Sequence, residues 1–248
     1  MTNLKQKLAE KIDQERPRIR KLVKENCDAV IDTVTVEKLF GGMRTLKCLV
    51  TDISYLDPME GIRYRGYTLP DVFKKLPKPP GAEMPYVEGL YYLLLTGDIP
   101  TEEEISEVID EFRKRRIVPR YVYEVIDNFP SLSHPMTIFS TAILSLHRES
   151  FFDRKFHGGV NKLDYWDYTY EDYMNLLAKL PEIAAYIYAK LYRDGKRIQQ
   201  NPELDFGSSF AHMMGKEKPY DEVSRMYFIL HADHESGNVS AHTGHLVS

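Results

Sequence analysis

Apolar residues recur at helical spacing along most of the chain, and they alternate with polar residues only near the N-terminus. The most regular helical repeat follows Thr101 and Glu104, whose spacing is the signature of a capped helix start. The apolar positions that follow fall on one helical face: Ile105, Val108, Ile109 and Phe112. The basic run 113–116 closes this helix, because positive charge is favourable at the C-terminal end of a helix dipole.

Four more helices are predicted, and each has its own pattern. Residues 3–26 are mostly charged and predict an exposed helix that ends near Asn26. Pro135 opens a second helix, whose apolar stripe we expect at Met136, Phe139, Ile143 and Leu146. Residues 169–194 predict a long helix closed by Gly195. Residues 219–233 predict another, with the stripe Val223, Met226, Tyr227 and Leu230.

Two short segments near the N-terminus predict strands instead. Residues 30–36 and 47–56 alternate and are rich in β-branched side chains, and we expect them to be joined across Gly41 and Gly42. Asp57-Pro58 and Gly61 mark turns. The sequence therefore predicts a mainly α fold with a small β element near the N-terminus.

Composition narrows the possible function classes. The chain has 248 residues and is 43% hydrophobic, which is enough for a core. Its net charge of −4 does not favour nucleic-acid binding, and no apolar run is long enough to predict a membrane span. Cys27 and Cys48 are the only cysteines, which suggests a reducing compartment. We therefore expect a cytoplasmic protein, or one of the mitochondrial matrix if a transit peptide has been removed.

Half of the eight histidines lie in residues 231–248. Continuing the stripe of the helix before them predicts that His234 faces inward, between the end of one helix and the start of another. Such a ring could bind a carboxylate together with helix N–H groups and the Asn238 amide. There are two alternatives. One is a metal site, since His231 and His234 are three residues apart, as are His242 and His245. The other is that these are ordinary structural histidines.

Several segments resemble one known family. HADHESGNVSAHT at 231–243 is similar to a segment of citrate synthases of the eukaryotic type, and so is LDPMEGIRYRGY at 56–67. The turn Gly41–Arg44, the helix start Ser133–Met136 and the pair Tyr165-Trp166 also resemble that family. The resemblance runs in order from about residue 3 to residue 248, which makes it more specific than any single motif.

This resemblance implies an enzyme that makes citrate from oxaloacetate and acetyl-CoA, a homodimer of mostly helical subunits with a large and a small domain. It implies that His234 and Asn238 bind oxaloacetate and that Ser240 supports a catalytic histidine. Arg44 and Lys162 stand where the family has arginines for the CoA phosphates. Acetyl-CoA would be a co-substrate, and neither a permanently bound cofactor nor a metal is implied.

The resemblance also bears on the domain content of residues 1–248. It implies that they form an incomplete large domain, and that the small domain and the catalytic base and histidines lie downstream of Ser248. We therefore expect this chain alone to be inactive, and to self-associate or be poorly soluble because its core is uncovered. The alternatives are a truncated, non-catalytic relative that acts as a binding or assembly protein, and a helical metal-binding protein.

Overall fold

The computed structural model describes residues 3–41, 46 and 51–235 of the chain. Contacts divide the chain into two units, the first made of Met1–Leu76, Gly89–Pro100 and Ile229–Ser248, and the second of Pro77–Glu88 and Thr101–Phe228. The described residues form helices and one small sheet, which confirms the predicted mainly α fold. None of the described helices is long and apolar enough to cross a membrane.

The helices are numbered in chain order. They are α1 (Asn3–Asn26), α2 (Val36–Phe40), α3 (Leu69–Lys75), α4 (Val87–Thr96), α5 (Glu102–Arg115), α6 (Arg120–Asp127), α7 (Pro135–Ser145), α8 (Phe151–His157), α9 (Tyr165–Tyr192), α10 (Phe206–Met213) and α11 (Tyr220–Leu230). The strands are β1 (Ser54–Asp57), β2 (Gly61–Tyr64) and β3 (Tyr67–Thr68), and they form one antiparallel sheet in the order β1-β2-β3.

The first unit is built around the β1–β2 hairpin. Ser54 pairs with Tyr64 and Leu56 pairs with Ile62, so the hairpin turns at residues 58–60. The Asp57 carboxylate accepts hydrogen bonds from the backbone N–H groups of Met59 and Glu60, at 2.8 and 2.9 Å. These bonds close the turn predicted at Asp57-Pro58. The core of the unit consists of the buried residues Ile62, Tyr64, Val72, Leu76, Leu90, Leu93 and Ile229.

The strand predicted over residues 30–36 is wrong. Residues 29–35 have no regular structure, and helix α2 begins at Val36. The Thr35 hydroxyl caps this helix by accepting from Lys38 N, and the Lys38 amine donates to Thr33 O at 2.9 Å. Val30 is 80% exposed and Ile31 is 73% exposed, so within the described residues this β-branched run packs against no sheet face. Of the predicted strand 47–56, residues 47–50 lie outside the described residues and Ser54–Leu56 belong to β1.

Helices are the only regular secondary structure among the described residues of the second unit. The capping box at Thr101 is confirmed, because its side chain accepts from Glu104 N while the Glu104 carboxylate accepts from Thr101 N. The face predicted for α5 is also confirmed, since Ile105, Val108 and Phe112 are buried. Helix α9 continues through Pro181 and ends before Gly195, as predicted, apart from starting four residues earlier.

Two predicted apolar stripes match the buried helical face only in part or not at all. Of the stripe predicted for α7, Leu146 is buried and Phe139 packs against the core, whereas Met136 is 57% exposed. The buried positions within the helix are Ile138 and Ala142, which the stripe did not include. This helix is apolar on nearly every side, so its sequence period does not define the inner face. In α11 the buried positions are Arg225 and Ile229, while Val223, Met226 and Tyr227 are exposed.

Arg225 takes a core position in α11 because acidic groups surround its guanidinium. Its Nη2 lies 2.8 Å from Asp205 Oδ2, and both side chains are more than nine-tenths buried. Asp205 also caps α10 by accepting from the backbone N–H groups of Gly207 and Ser208. Paired and hydrogen-bonded in this way, two buried charges are tolerated where either one alone would be strongly destabilising.

Candidate functional site

His234 lies just beyond the end of α11, in the first unit. The helix ends at Leu230, so His234 does not continue its stripe, and the side chain is exposed. The prediction of an inward-facing ring is therefore wrong: with the helix ended, the four-residue period no longer determines direction. Among the described residues the imidazole ring has no hydrogen-bond partner, and the nitrogens of such a ring can donate to or accept from a ligand.

The end of α11 is fixed by a tyrosine from the hairpin. Tyr64 is fully buried in β2, and its hydroxyl donates to Ile229 O at 2.8 Å and to Leu230 O at 3.3 Å. The last carbonyls of a helix have no partner within the helix, and here the phenol satisfies two of them. Burial raises the pKa of Tyr64, which keeps the hydroxyl protonated as a donor. The helix therefore stops at a defined place, four residues before His234.

The residues on either side of His234 are bonded to β1. The Ser54 hydroxyl donates to Asp233 Oδ2 at 2.7 Å and accepts from Glu235 N at 2.8 Å. Asp233 Oδ1 accepts from His234 N at 2.9 Å, and Glu235 Oε2 accepts from Leu56 N at 2.7 Å. Because these bonds flank His234, an exposed histidine is carried on a fixed backbone.

Lys162 lies in the second unit, in a short 3₁₀ turn over Lys162–Asp164. The Asn161 side chain caps this turn by accepting from Leu163 N at 2.9 Å. The Lys162 side chain is exposed, and its amine has no partner within the described part of the chain. An unpaired ammonium on a capped turn can bind a phosphate as a point charge.

The other predicted site residues lie outside the described residues. These are Arg44, Asn238 and Ser240, together with His242 and His245 of the histidine cluster. Within residues 3–41, 46 and 51–235, no group of three or more His, Cys, Asp or Glu side chains is arranged to hold a metal ion. The predicted site residues that the structure describes are therefore His234, in the first unit, and Lys162, in the second.

Sequence reasoning missed Ser54, Asp233 and Glu235. Ser54 bonds to residues 179 and 181 positions away, and no local periodicity reports a pairing over that distance. The available signal was the acidic residue on each side of His234, in the order Asp-His-Glu. Two carboxylates beside a ring that binds an anion would repel that anion unless hydrogen-bond donors bind them. The sequence Asp-His-Glu therefore indicates that such donors exist elsewhere in the chain.

The sequence of this chain is similar to citrate synthases along nearly its whole length. Residues 42–248 match the family described as "Citrate synthase, C-terminal domain". The chain is 48% identical to the mitochondrial citrate synthase of Kajikia audax and 45% identical to that of Aspergillus niger, in each case over 99% of this chain.

The chain spans about half the length of these relatives, 53% and 52%. Their names include the word mitochondrial, so they give no support to the cytoplasmic expectation. The crystal structure of citrate synthase from Pyrobaculum aerophilum matches 84% of this chain and 53% of its own, with a TM-score of 0.69 and 26% identity. The chain therefore belongs to the citrate synthase family.

Proposed function

We propose that the full-length protein containing this chain is a citrate synthase, which condenses oxaloacetate with acetyl-CoA and water to give citrate and CoA. The observation that carries this proposal is the 48% identity to a relative of that name along 99% of the chain. The reaction needs a base to remove a proton from the acetyl methyl carbon, and donors for the enolate and ketone oxygens. We further propose that these groups and the small domain lie C-terminal to Ser248, and that this chain supplies part of the large domain.

In this proposal His234 and Asn238 bind oxaloacetate, and Ser240 supports a catalytic histidine. The exposed His234 ring on its fixed backbone supports the first role, since an imidazole can donate to a carboxylate. His234→Ala should raise the KM for oxaloacetate about 10- to 100-fold, because one hydrogen bond to a charged group is lost. His147→Ala removes another exposed histidine and is the control. An unchanged oxaloacetate KM in His234→Ala contradicts this role.

Arg44 and Lys162 bind the CoA phosphates in the same proposal. The exposed, unpaired amine of Lys162 supports its part, within the described residues. Lys162→Ala should raise the KM for acetyl-CoA by about tenfold and leave that for oxaloacetate unchanged, because only the phosphates lose a charge. Lys162→Arg should lower the KM for acetyl-CoA below that of the parent protein, since a guanidinium can bind a phosphate through two hydrogen bonds. Lys74→Ala is the exposed-lysine control, and equal effects on both substrates count against the assignment.

We also propose that the full-length protein is a homodimer of the mitochondrial matrix. The names of the relatives support the location, and the family resemblance supports the dimer. Sedimentation equilibrium should give twice the subunit mass, and a C-terminal fluorescent fusion should co-localise with a matrix marker. A monomer at micromolar concentration, or a diffuse cytosolic signal, contradicts the respective part.

The decisive assay is the release of the CoA thiol from acetyl-CoA by the purified full-length protein, with and without oxaloacetate. Release that depends on oxaloacetate, with citrate as the product, is the expected result. Absence of release from a folded, full-length protein rejects the enzyme and favours the non-catalytic relative considered above. Repeating the assay with residues 1–248 alone tests whether the catalytic groups lie outside them.

A further inference from the structure

Both amide groups that flank the His234 Cα are held by side chains. The N–H of His234 donates to Asp233 Oδ1 at 2.9 Å, and the N–H of Glu235 donates to Ser54 Oγ at 2.8 Å. Fixing the two peptide units next to a residue fixes its φ and ψ, and these in turn determine which rotamers its side chain can adopt. The direction of an exposed ring is thus set by its backbone.

The serine hydroxyl connects the two acids into one network. Ser54 is 5% exposed, and its hydroxyl also donates to Asp233 Oδ2 at 2.7 Å. Glu235 completes the network, because its Oε2 accepts from Leu56 N at 2.7 Å. Among the described strands β1 lies at an edge of the sheet, so without Glu235 this N–H would have no partner in the described sheet. We call Ser54, Asp233 and Glu235 the clamp.

Glu235 has a strained backbone. Its φ is +42°, in the left-handed region, which costs a non-glycine residue about 1 kcal/mol. Such strain persists only where surrounding contacts fix the conformation, and it concentrates at functional sites. Here the fixing contacts are the bonds from Ser54 and Leu56, and the strained residue immediately follows His234.

The clamp also controls charge beside the ring. Oxaloacetate is a dianion, and a histidine between two carboxylates would be a poor place to bind it if those carboxylates faced the ligand. Asp233 and Glu235 instead direct oxygens to a hydroxyl and an amide of β1. Their negative charge is therefore held on the hairpin side of the segment.

We propose that Ser54, Asp233 and Glu235 are positioning residues, which hold the His234 ring in the orientation that binds a substrate carboxylate and keep their own charge away from that substrate. This inference rests on the proposed function, in which the carboxylate is that of oxaloacetate. None of the three needs to touch substrate. Asp233 and Ser54 act through the two amides that flank His234, Glu235 acts by joining its own residue to β1, and the hairpin is a structural support of the site.

The test uses paired substitutions in the full-length protein. Glu235→Ala and Ser54→Ala remove a clamp bond, whereas Glu235→Gln keeps an acceptor for Leu56 N and Ser54→Thr keeps the hydroxyl. We expect both alanine variants to raise the oxaloacetate KM about tenfold or more, since misplacing a binding group by about 1 Å can cost up to 100-fold. The KM for acetyl-CoA should change less than about twofold, and Gln and Thr should restore most of the loss.

Two controls separate positioning from stability and from the proposed function. Val72→Ala opens a cavity at a fully buried position of the same unit, so it should lower Tm without changing either KM. Clamp variants that lower Tm like Val72→Ala but leave the oxaloacetate KM unchanged overturn the proposal. If His234→Ala raises that KM and the clamp variants do not, the clamp alone is wrong. If His234→Ala also has no effect, the assignment of His234 in the proposed function fails as well.

Discussion

Glu88 is a buried acid whose ionisation should destabilise the second unit. The side chain is 1% exposed, and its Oε1 accepts from Phe206 N at 2.8 Å. Its Oε2 has no hydrogen-bond partner within the described residues, and the residue lines a cavity of about 40 Å³. Burial, followed by the nearby negative charge of Asp205, raises the pKa of Glu88 to about 7, while Arg225 opposes this shift.

The difference between the folded and unfolded pKa values of Glu88 determines how the free energy of unfolding changes with pH. Because the folded-state pKa of about 7 lies above the ordinary value of 4.5, the folded protein binds a proton more tightly than the unfolded chain. The stability associated with protonated Glu88 is complete below pH 4.5 and is lost as the pH rises to 7, at up to about 1.4 kcal/mol per pH unit. From pH 5 to pH 8 the free energy of unfolding should fall by roughly 2–3 kcal/mol because of this group. The lowered pKa of Asp205 acts in the opposite sense, but only at pH values below 3.8.

Glu88→Gln removes the titration while an amide oxygen can still accept from Phe206 N. Urea unfolding of the chain can be followed by the fluorescence of Trp166, the only tryptophan, which lies in α9 of the same unit. Stability relative to the parent should rise by roughly 2–3 kcal/mol from pH 5 to pH 8, since the other titrating groups are common to both proteins. Glu107→Gln on the exposed face of α5 is the control. If the free energy of unfolding of Glu88→Gln, relative to that of the parent, changes by less than about 0.5 kcal/mol between pH 5 and pH 8, the raised pKa of Glu88 is refuted.

Three further tests, two of them with a control variant, examine packing and helix capping in the second unit by the same unfolding assay. Gly207→Ala should destabilise by about 1–3 kcal/mol, because a Cβ there would lie 2.6 Å from Arg225 Cγ and 3.2 Å from Arg225 N; an unchanged midpoint contradicts this close approach. Thr101→Ala should cost about 1 kcal/mol by removing the cap of α5, and Thr101→Ser should recover it. Ile138→Ala should cost about 2–5 kcal/mol at its fully buried position, whereas Leu144→Ala, at a 73% exposed position of the same helix, should cost less than about 0.5 kcal/mol.

The elements that could be predicted from sequence are those with local causes. The cap at Thr101, the end of α9 before Gly195 and the turn at Asp57 each depend on residues within a few positions of one another. The buried faces of helices are harder to predict from sequence. The buried face of α11 is occupied by Arg225, whose charge is compensated by Asp205, twenty residues earlier in sequence. A pattern of apolar residues cannot indicate a core position taken by a paired charge.

The position of His234 could not be predicted from periodicity either, but the family resemblance pointed to the right segments. Helical periodicity predicts that the His234 side chain points inward, and this is wrong because α11 ends at Leu230. The Tyr64 hydroxyl donates to the carbonyl oxygens of the last two residues of that helix. The resemblance, however, includes two segments, 56–67 and 231–243, which are remote in sequence. In the structure these segments touch where Leu56 N donates to Glu235 Oε2, and Tyr64 of the first segment bonds to Ile229 and Leu230, directly before the second segment. The hairpin motif thus acquires a physical role as the support on which the His234 segment is held, and a change in either segment should be felt in the other.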